Sequence, residues 1–289
     1  TGWLMPMSMS IGNWRSRPRC HVIRNGQREM QTQPRQFDLT GCSLLAVFAH
    51  PDDESLACGG LLAWCADLAA DVALLCVTRG QNGPGESRGL GVARETELRA
   101  AARTLGVEQV VVLGYEDGML PWAEASQLES DVRETIQRSR PSVVVTFGED
   151  GLYWHPDHVA VHERTTAAVT SLGDKAPALY YVTLPAGRMR DVVEHVEKVM
   201  RMSDDPPRQI LGVEDVDAFG SFTLAPTLII DSGNYATRKL AAIRCHASQL
   251  PHNALAHVAD EDAARLLGLE LYRRATVGWQ GDTFIEQLG

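Results

Sequence analysis

Long hydrophobic runs are missing from this 289-residue chain. None reaches the roughly 20 apolar residues that a membrane-spanning helix needs, and the longest, Leu44 to Ala49 and Val72 to Val77, have the length of strands. Positive charge is short as well: 27 Lys and Arg stand against 37 Asp and Glu, a formal net charge of −10. That balance excludes a general nucleic-acid binder, which needs a basic face to neutralise phosphates. The cysteines at 20, 42, 58, 65, 76 and 245 form no C-x-x-C pair. Free core thiols in a reducing cytoplasm are therefore expected, not a zinc knuckle or a disulfide framework. A continuous apolar segment of the secretory type is also missing near the N-terminus, so the expected location is cytoplasmic. There is no internal repeat and no low-complexity tract. With 44% hydrophobic and 22% charged residues the composition is that of a globular protein, which rules out disordered, collagen-like and rod-like chains.

What is present alternates. Leu44–Ala49, Val72–Thr78, Val110–Leu113 and Val143–Phe147 read as strands. Helical spacing follows each of them: around Leu61–Leu68, at Leu98, Ala102 and Leu105, at Leu128, Val132 and Ile136, and over Val159–Val169. Strands alternating with helices imply parallel pairing through right-handed crossovers. Near-continuous apolar strands imply a sheet covered on both faces. The expected fold is α/β: a Rossmann-like, doubly wound, mostly parallel sheet with a C-terminal elaboration. In that elaboration Leu179–Leu184 and Thr227–Ile230 read as added strands. Arg188–Met202, Tyr235–Gln249 and Asp262–Arg274 read as helices. Residues 41–289 are expected to form one domain. Residues 1–40 read as a basic arm, with six Arg against Glu29 and Asp38, which leaves −14 on the remainder. A basic arm on an acidic body is a pattern compatible with homo-oligomers.

Ligands of such sheets bind at the carboxyl ends of the strands. The first strand is followed there by His50-Pro51-Asp52-Asp53-Glu54, and the fourth by Gly148 through Trp154 and then His155-Pro156-Asp157-His158. The fold thus brings two clusters that are distant in sequence to one rim. His50 and Asp53 are three apart, and so are His155 and His158, a spacing at which two side chains entering a helix face the same way. Imidazole and carboxylate donors without thiolate suit Zn²⁺ or another borderline divalent metal. The prolines suit first-turn positions of the following helices. Either cluster alone has an ordinary explanation, since carboxylates favour helix N-termini. The residue pattern does not decide which Asp binds metal and which acts as a base. The glycine-rich loop Arg79–Gly91 lacks a P-loop Lys-Ser/Thr, so it is expected to rim the site, not to cradle phosphate.

The pair AHPDDE and HPDH resembles the signatures of the PIG-L/LmbE-like deacetylases, zinc-dependent enzymes that remove N-acyl groups from glucosaminyl substrates. Thr78-Arg79-Gly80, Arg94 with Glu97, Leu113 through Gly118, Gly151 through Trp154 and His246-Ala247-Ser248-Gln249 extend the resemblance over residues 44–250. It implies His50, Asp53 and His158 as ligands of one metal, Zn²⁺ with Fe²⁺ or Co²⁺ as alternatives, and Asp52 as general base. It implies that His155 stabilises the oxyanion, that Asp157 orients or charges His155, and that Tyr153 assists. Arg94 and Asp117 are implied sugar contacts, against an Arg94–Glu97 salt bridge and a turn-forming Asp as the plain alternatives. His246 is implied to line the pocket, against a core histidine. Trp122 and Trp154 are aromatic surface for a sugar or acyl chain, or, for Trp122, core.

The activity implied is hydrolysis of an N-acyl, expected N-acetyl, group on a glucosaminyl small molecule such as a thiol precursor or an antibiotic glycoside. An amidase of a thiol-conjugated pseudodisaccharide would share the site. A phosphoesterase would want more positive charge or a second metal. A non-catalytic sugar-binding protein would be expected to have lost one of His50, Asp52, Asp53, His155 and His158. The partner expected is the small N-acyl-glucosaminide itself, with neither nucleic acid nor membrane.

Overall fold

The computed structural model describes residues 37–84, 88–200, 206–221, 225–251 and 253–289. Most of the basic arm, Cys20 and the tip of the glycine-rich loop lie outside them. The apolar runs become strands β1 (Ser43–Phe48), β2 (Asp71–Thr78), β3 (Gln109–Tyr115), β4 (Val143–Phe147) and β5 (Ala178–Thr183), followed by β6 (Leu228–Asp231) and β7 (Leu269–Gly278). Their order in the sheet is β3-β2-β1-β4-β5-β7-β6. The first five pair in parallel, as in Leu44 opposite both Val72 and Val143, and β7 runs antiparallel between β5 and β6. The mostly parallel α/β sheet expected from the sequence is what forms.

The helices are α1 (Asp53–Asp67), α2 (Leu90–Leu105), α3 (Ala125–Ser139), the single turn α4 (Gly151–Trp154), α5 (Pro156–Ser171), α6 (Arg188–Val199), α7 (Ala236–Cys245) and α8 (Asp260–Leu267). A large apolar cluster fills both faces of the parallel strands. A second cluster joins Leu56 of α1 to α6, α7 and α8. Met189, Val192, Val193 and Val196 put the apolar stripe of α6 into it, which is core packing.

Two stretches depart from expectation. The helix expected over Tyr235–Gln249 ends at Cys245, with a separate 3₁₀ turn over Ala247–Gln249. Asp262–Arg274 is not one helix either: α8 stops at Leu267, Gly268 caps it, and Leu269 starts β7. Glu270 and Tyr272 lie on a buried face of β7. A buried charge at a strand position hides the two-residue alternation that would have marked it. Cys58, Cys65, Cys76 and Cys245 are free as expected, whereas Cys42 is disulfide-bonded.

The sequence runs outward from β1 through β2 to β3, then returns to β4 on the other side of β1. The gap between the carboxyl ends of β1 and β4 is therefore the topological switch point, where loops diverge and leave a crevice.

Candidate active site

Both signature clusters meet at that crevice. β1 ends at Phe48, and the chain turns through His50 to Asp52 before α1 begins. Asp52 makes the turn with φ 111° and ψ −26°, in the left-handed region that costs a non-glycine residue about 1–3 kcal/mol. The turn is closed by the Asp53 carboxylate, which accepts from the His50 N–H at 2.8 Å. Across the crevice, Asp150 caps the Leu152 N–H, and Leu152 and Trp154 also take positive φ around Tyr153. Gly151 has φ +53°, and a Cβ there would stand 2.8 Å from that of His158, so the close approach requires glycine. His155 then caps α5, with Pro156 in its first turn.

His50 Nδ1 lies 3.1 Å from His158 Nε2 and 3.6 Å from Asp53 Oδ2, and His158 Nε2 lies 3.3 Å from Asp53 Oδ1. These separations match the edges, about 3.4 Å, between ligands on a tetrahedral ion. The tautomers agree. His158 Nδ1 donates to the Gly151 carbonyl at 2.9 Å, which frees its Nε2 lone pair. His50 Nε2 donates to Asp117 at 2.9 Å and Asp157 at 3.2 Å, which frees its Nδ1 lone pair. Two lone pairs and a carboxylate then face one point. Such hydrogen bonds from the far ring nitrogen are how metal-binding histidines are oriented. Phe147 stacks on the His158 ring at 4.0 Å and fixes its plane. His155 also comes within 4.8 Å of the His50–His158 pair, as do Asp117 and Asp157 around His50. The latter two, however, sit on the nitrogen opposite the convergence point.

The charge of this cluster is unbalanced. Asp52, Asp53, Glu54, Asp117 and Asp157 are all buried, and Arg94 is the buried arginine set against them. Burial pushes the Asp52 carboxyl up to about 6, although Arg94 opposes the shift. For Asp53 burial also pushes upward, but His158 and His50 outweigh it and hold the group below the usual range. Burial lowers His158 to about 3, and it also lowers His155, with the nearby His50 adding to the effect. His50 runs the other way: Asp117, Asp157 and Asp53 overcome the cost of burial and raise it. Surplus buried carboxylate beside an imidazole that burial keeps unprotonated, His158, is the environment a divalent cation stabilises, so the donor set fits one.

The remaining expected residues divide. Tyr153 is half buried and packs edge-on against His155 and His158. Burial keeps its phenol well above the ordinary range, as a proton donor. Asp157 does not serve His155 through its carboxylate. That carboxylate accepts from His50 and from the Gly118 and Leu120 N–H groups, and only its backbone N–H reaches His155 Nδ1. It is therefore His50 that Asp157 orients. Asp117 is bound to His50 and Asn82. Arg94 makes no pair with Glu97. It reaches Asp52 Oδ2 at 3.1 Å and the Pro51 and Gly80 carbonyls, while Glu97 turns to Ser248. His246 is 1% exposed and bonds Glu54. Glu54 itself was missed: within D-D-E it reads as one more helix-terminal carboxylate. Trp122 and Trp154 are exposed, not core.

Comparison with known proteins points to a family. Residues 45–169 match the family PIG-L, GlcNAc-PI de-N-acetylase. A relative from Acidothermus cellulolyticus, named 1D-myo-inositol 2-acetamido-2-deoxy-alpha-D-glucopyranoside deacetylase, is 33% identical over 80% of this chain and 87% of its own. The chain belongs to the PIG-L family. It is thus a member of a family of deacetylases, hydrolases of amide bonds. Among solved structures, the N,N'-diacetylchitobiose deacetylase of Pyrococcus horikoshii has the same fold, with TM-score 0.55, 22% identity, and 81% and 83% of the two chains covered. The 4-carboxy-2-hydroxymuconate hydratase GalB of Pseudomonas putida shares it too, with TM-score 0.57, 18% identity, and 84% and 99% covered. A fold that carries a hydratase as well as deacetylases does not name the reaction by itself; the residues at the crevice must.

Proposed function

We propose that this chain is a metal-dependent N-deacetylase of a small glucosaminide, with His50, Asp53 and His158 as the metal ligands. The observation that carries the reading is the meeting of the His50 Nδ1 and His158 Nε2 lone pairs with the Asp53 carboxylate, beside a second buried carboxylate, Asp52. A divalent cation, Zn²⁺ being the first choice for these donors, supplies Lewis-acid polarisation of an amide carbonyl and lowers the pKa of water. Asp52, with its pKa near 6, is an anion at neutral pH and accepts the proton of the attacking water. Tyr153 donates to the oxygen that becomes negative, and His155 stands at the same side of the crevice to stabilise it. When the C–N bond breaks, Asp52 returns its proton to the departing amine, so water is consumed and carboxylate and amine leave. Arg94 holds the Asp52 carboxylate, and Asp117 and Asp157 hold the His50 ring.

The substrate class we infer is an N-acetylglucosaminyl conjugate of a small polar aglycone, for which the named activity of the Acidothermus relative is the support. The test is amine release by metal-stripped protein before and after loading with Zn²⁺. N-acetylglucosaminyl-inositol and a panel of N-acyl-glucosaminides serve as substrates, with metal content measured alongside. The expected result is one metal per chain and metal-dependent amine release from at least one glycoside. Failure to bind metal under any loading overturns the mechanism, and bound metal without amine release from any member overturns the substrate class.

A further inference from the structure

The Glu of D-D-E and the His of H-A-S-Q are the two signature residues that the reaction above leaves without work. Glu54 is fully buried. Its Oε2 accepts from the backbone N–H of Asp52 at 3.0 Å, and its Oε1 takes His246 Nε2 at 2.9 Å together with the Ser55 hydroxyl. The N–H it holds belongs to the residue in the left-handed turn. Asp52 is thus gripped from two sides, with Arg94 on its carboxylate and Glu54 on its backbone.

The rest of H-A-S-Q anchors the grip. The Ser248 N–H and hydroxyl donate to the two oxygens of Glu97, at 2.8 and 2.7 Å, and Gln249 Nε2 donates to the Pro84 carbonyl at 3.2 Å. Arg94 and Glu97 are one turn apart on α2, so R-x-x-E serves both grips: Arg94 reaches forward to Asp52 and Glu97 reaches back to the segment that carries His246. A histidine that is 1% exposed and faces a carboxylate offers no edge to a substrate.

We propose that Glu54 and His246 are positioning residues: His246 fixes Glu54, and Glu54 locks the strained backbone turn that sets the Asp52 carboxylate in place. The proposal rests on the role given to Asp52 above. A residue held out of its preferred backbone region relaxes when its restraint is cut, and a displacement of about 1 Å at a reacting group can cost about 10²-fold.

The test uses three variants of the full-length, metal-loaded protein. Glu54→Gln keeps one acceptor oxygen for three donors. His246→Ala removes the support, and His246→Gln restores an N–H at the position of Nε2. Residue-resolved amide exchange reads the Asp52 N–H directly, with the Phe48 N–H in β1 as internal reference. Glu54→Gln and His246→Ala are expected to speed Asp52 exchange at least tenfold at unchanged Phe48 exchange, and His246→Gln to recover most of the protection. In turnover, the first two are expected to lower kcat about ten- to hundredfold at constant KM and metal content, because Asp52 acts in the chemical step. Unchanged Asp52 exchange in both Glu54→Gln and His246→Ala overturns the proposal whether or not the chosen glycoside is turned over. A rise in KM alone for His246→Ala also overturns it and makes His246 a substrate contact. Absence of turnover by the unaltered protein bears on the substrate class, while the exchange result still decides the positioning role.

Discussion

Helix α1 passes through two buried polar clusters of opposite design. At its start lie Asp52, Asp53 and Glu54, joined by Asp117 and Asp157. Further along, the helix kinks at Cys58, which has φ −149° and ψ 22°, and Glu270 of β7 fills the break. Its Oε1 accepts from the Gly60 N–H at 2.8 Å and Lys239 Nζ at 2.7 Å, and its Oε2 from the Leu61 N–H at 2.8 Å and the Tyr272 hydroxyl at 2.9 Å. There the charge closes, one cation to one anion, with both oxygens occupied. Such a cluster stabilises one arrangement of the chain and has nothing left to offer a ligand. At the start of α1 carboxylates outnumber cations, two imidazole nitrogens stand 3.1 Å apart, and a residue sits in a strained turn. The difference separates a polar cluster that is part of the fold from one that is completed by what binds there.

The comparison breaks most sharply through function at one end and stability at the other. Asp52→Asn keeps the hydrogen-bonding shape and removes the base. Turnover should fall by about 10²–10⁴-fold, with metal content and melting temperature held. Turnover within twofold of the parent would remove Asp52 as the base. The pH profile sharpens the same point. A carboxyl raised to about 6 by burial is protonated and inactive as a base below that pH and ionised above it. Turnover should therefore rise as pH climbs through about 6, with the Asp52→Asn residual activity lacking that limb. At the other cluster, Lys239→Met leaves Glu270 charged and buried without its cation, a change that costs about 3–5 kcal/mol. Urea unfolding should show that loss, while the folded fraction retains its metal and its kcat. A loss of kcat without loss of stability would contradict the assignment of this cluster to the fold.

The legibility of the two clusters differed for the same physical reason. Apolar runs and helical spacing made the first four parallel strands readable, because burial on both faces leaves a continuous apolar signature, while the fifth was read only as an added strand. Two His/Asp clusters at strand ends made the crevice readable, because the topology alone brings those ends together. The partners of Asp157 and Arg94 were not readable: Asp157 reaches His50, and Arg94 reaches Asp52, only through tertiary contacts far apart in sequence. Glu270 was misread in the opposite sense. Its charge, which heals the α1 kink, erased the strand pattern of β7, so a helix was expected where a strand forms.

The smallest effect belongs to the rim between these extremes. Trp122 is 72% exposed and Trp154 67% exposed. Trp122 follows the turn whose Leu120 N–H holds Asp157, and Trp154 directly precedes His155, so both stand within a few residues of the crevice. An exposed indole there makes few contacts that folding depends on, so Trp122→Ala should shift stability by no more than about 0.5 kcal/mol. A planar apolar face with an N–H edge is suited to a sugar ring or an apolar aglycone. KM for the glycoside should then rise about three- to tenfold, up to about 1.4 kcal/mol of binding, at unchanged kcat. Unchanged KM across glycosides of different aglycone size would leave Trp122 as surface only, and would confine recognition to the groups that the crevice itself presents.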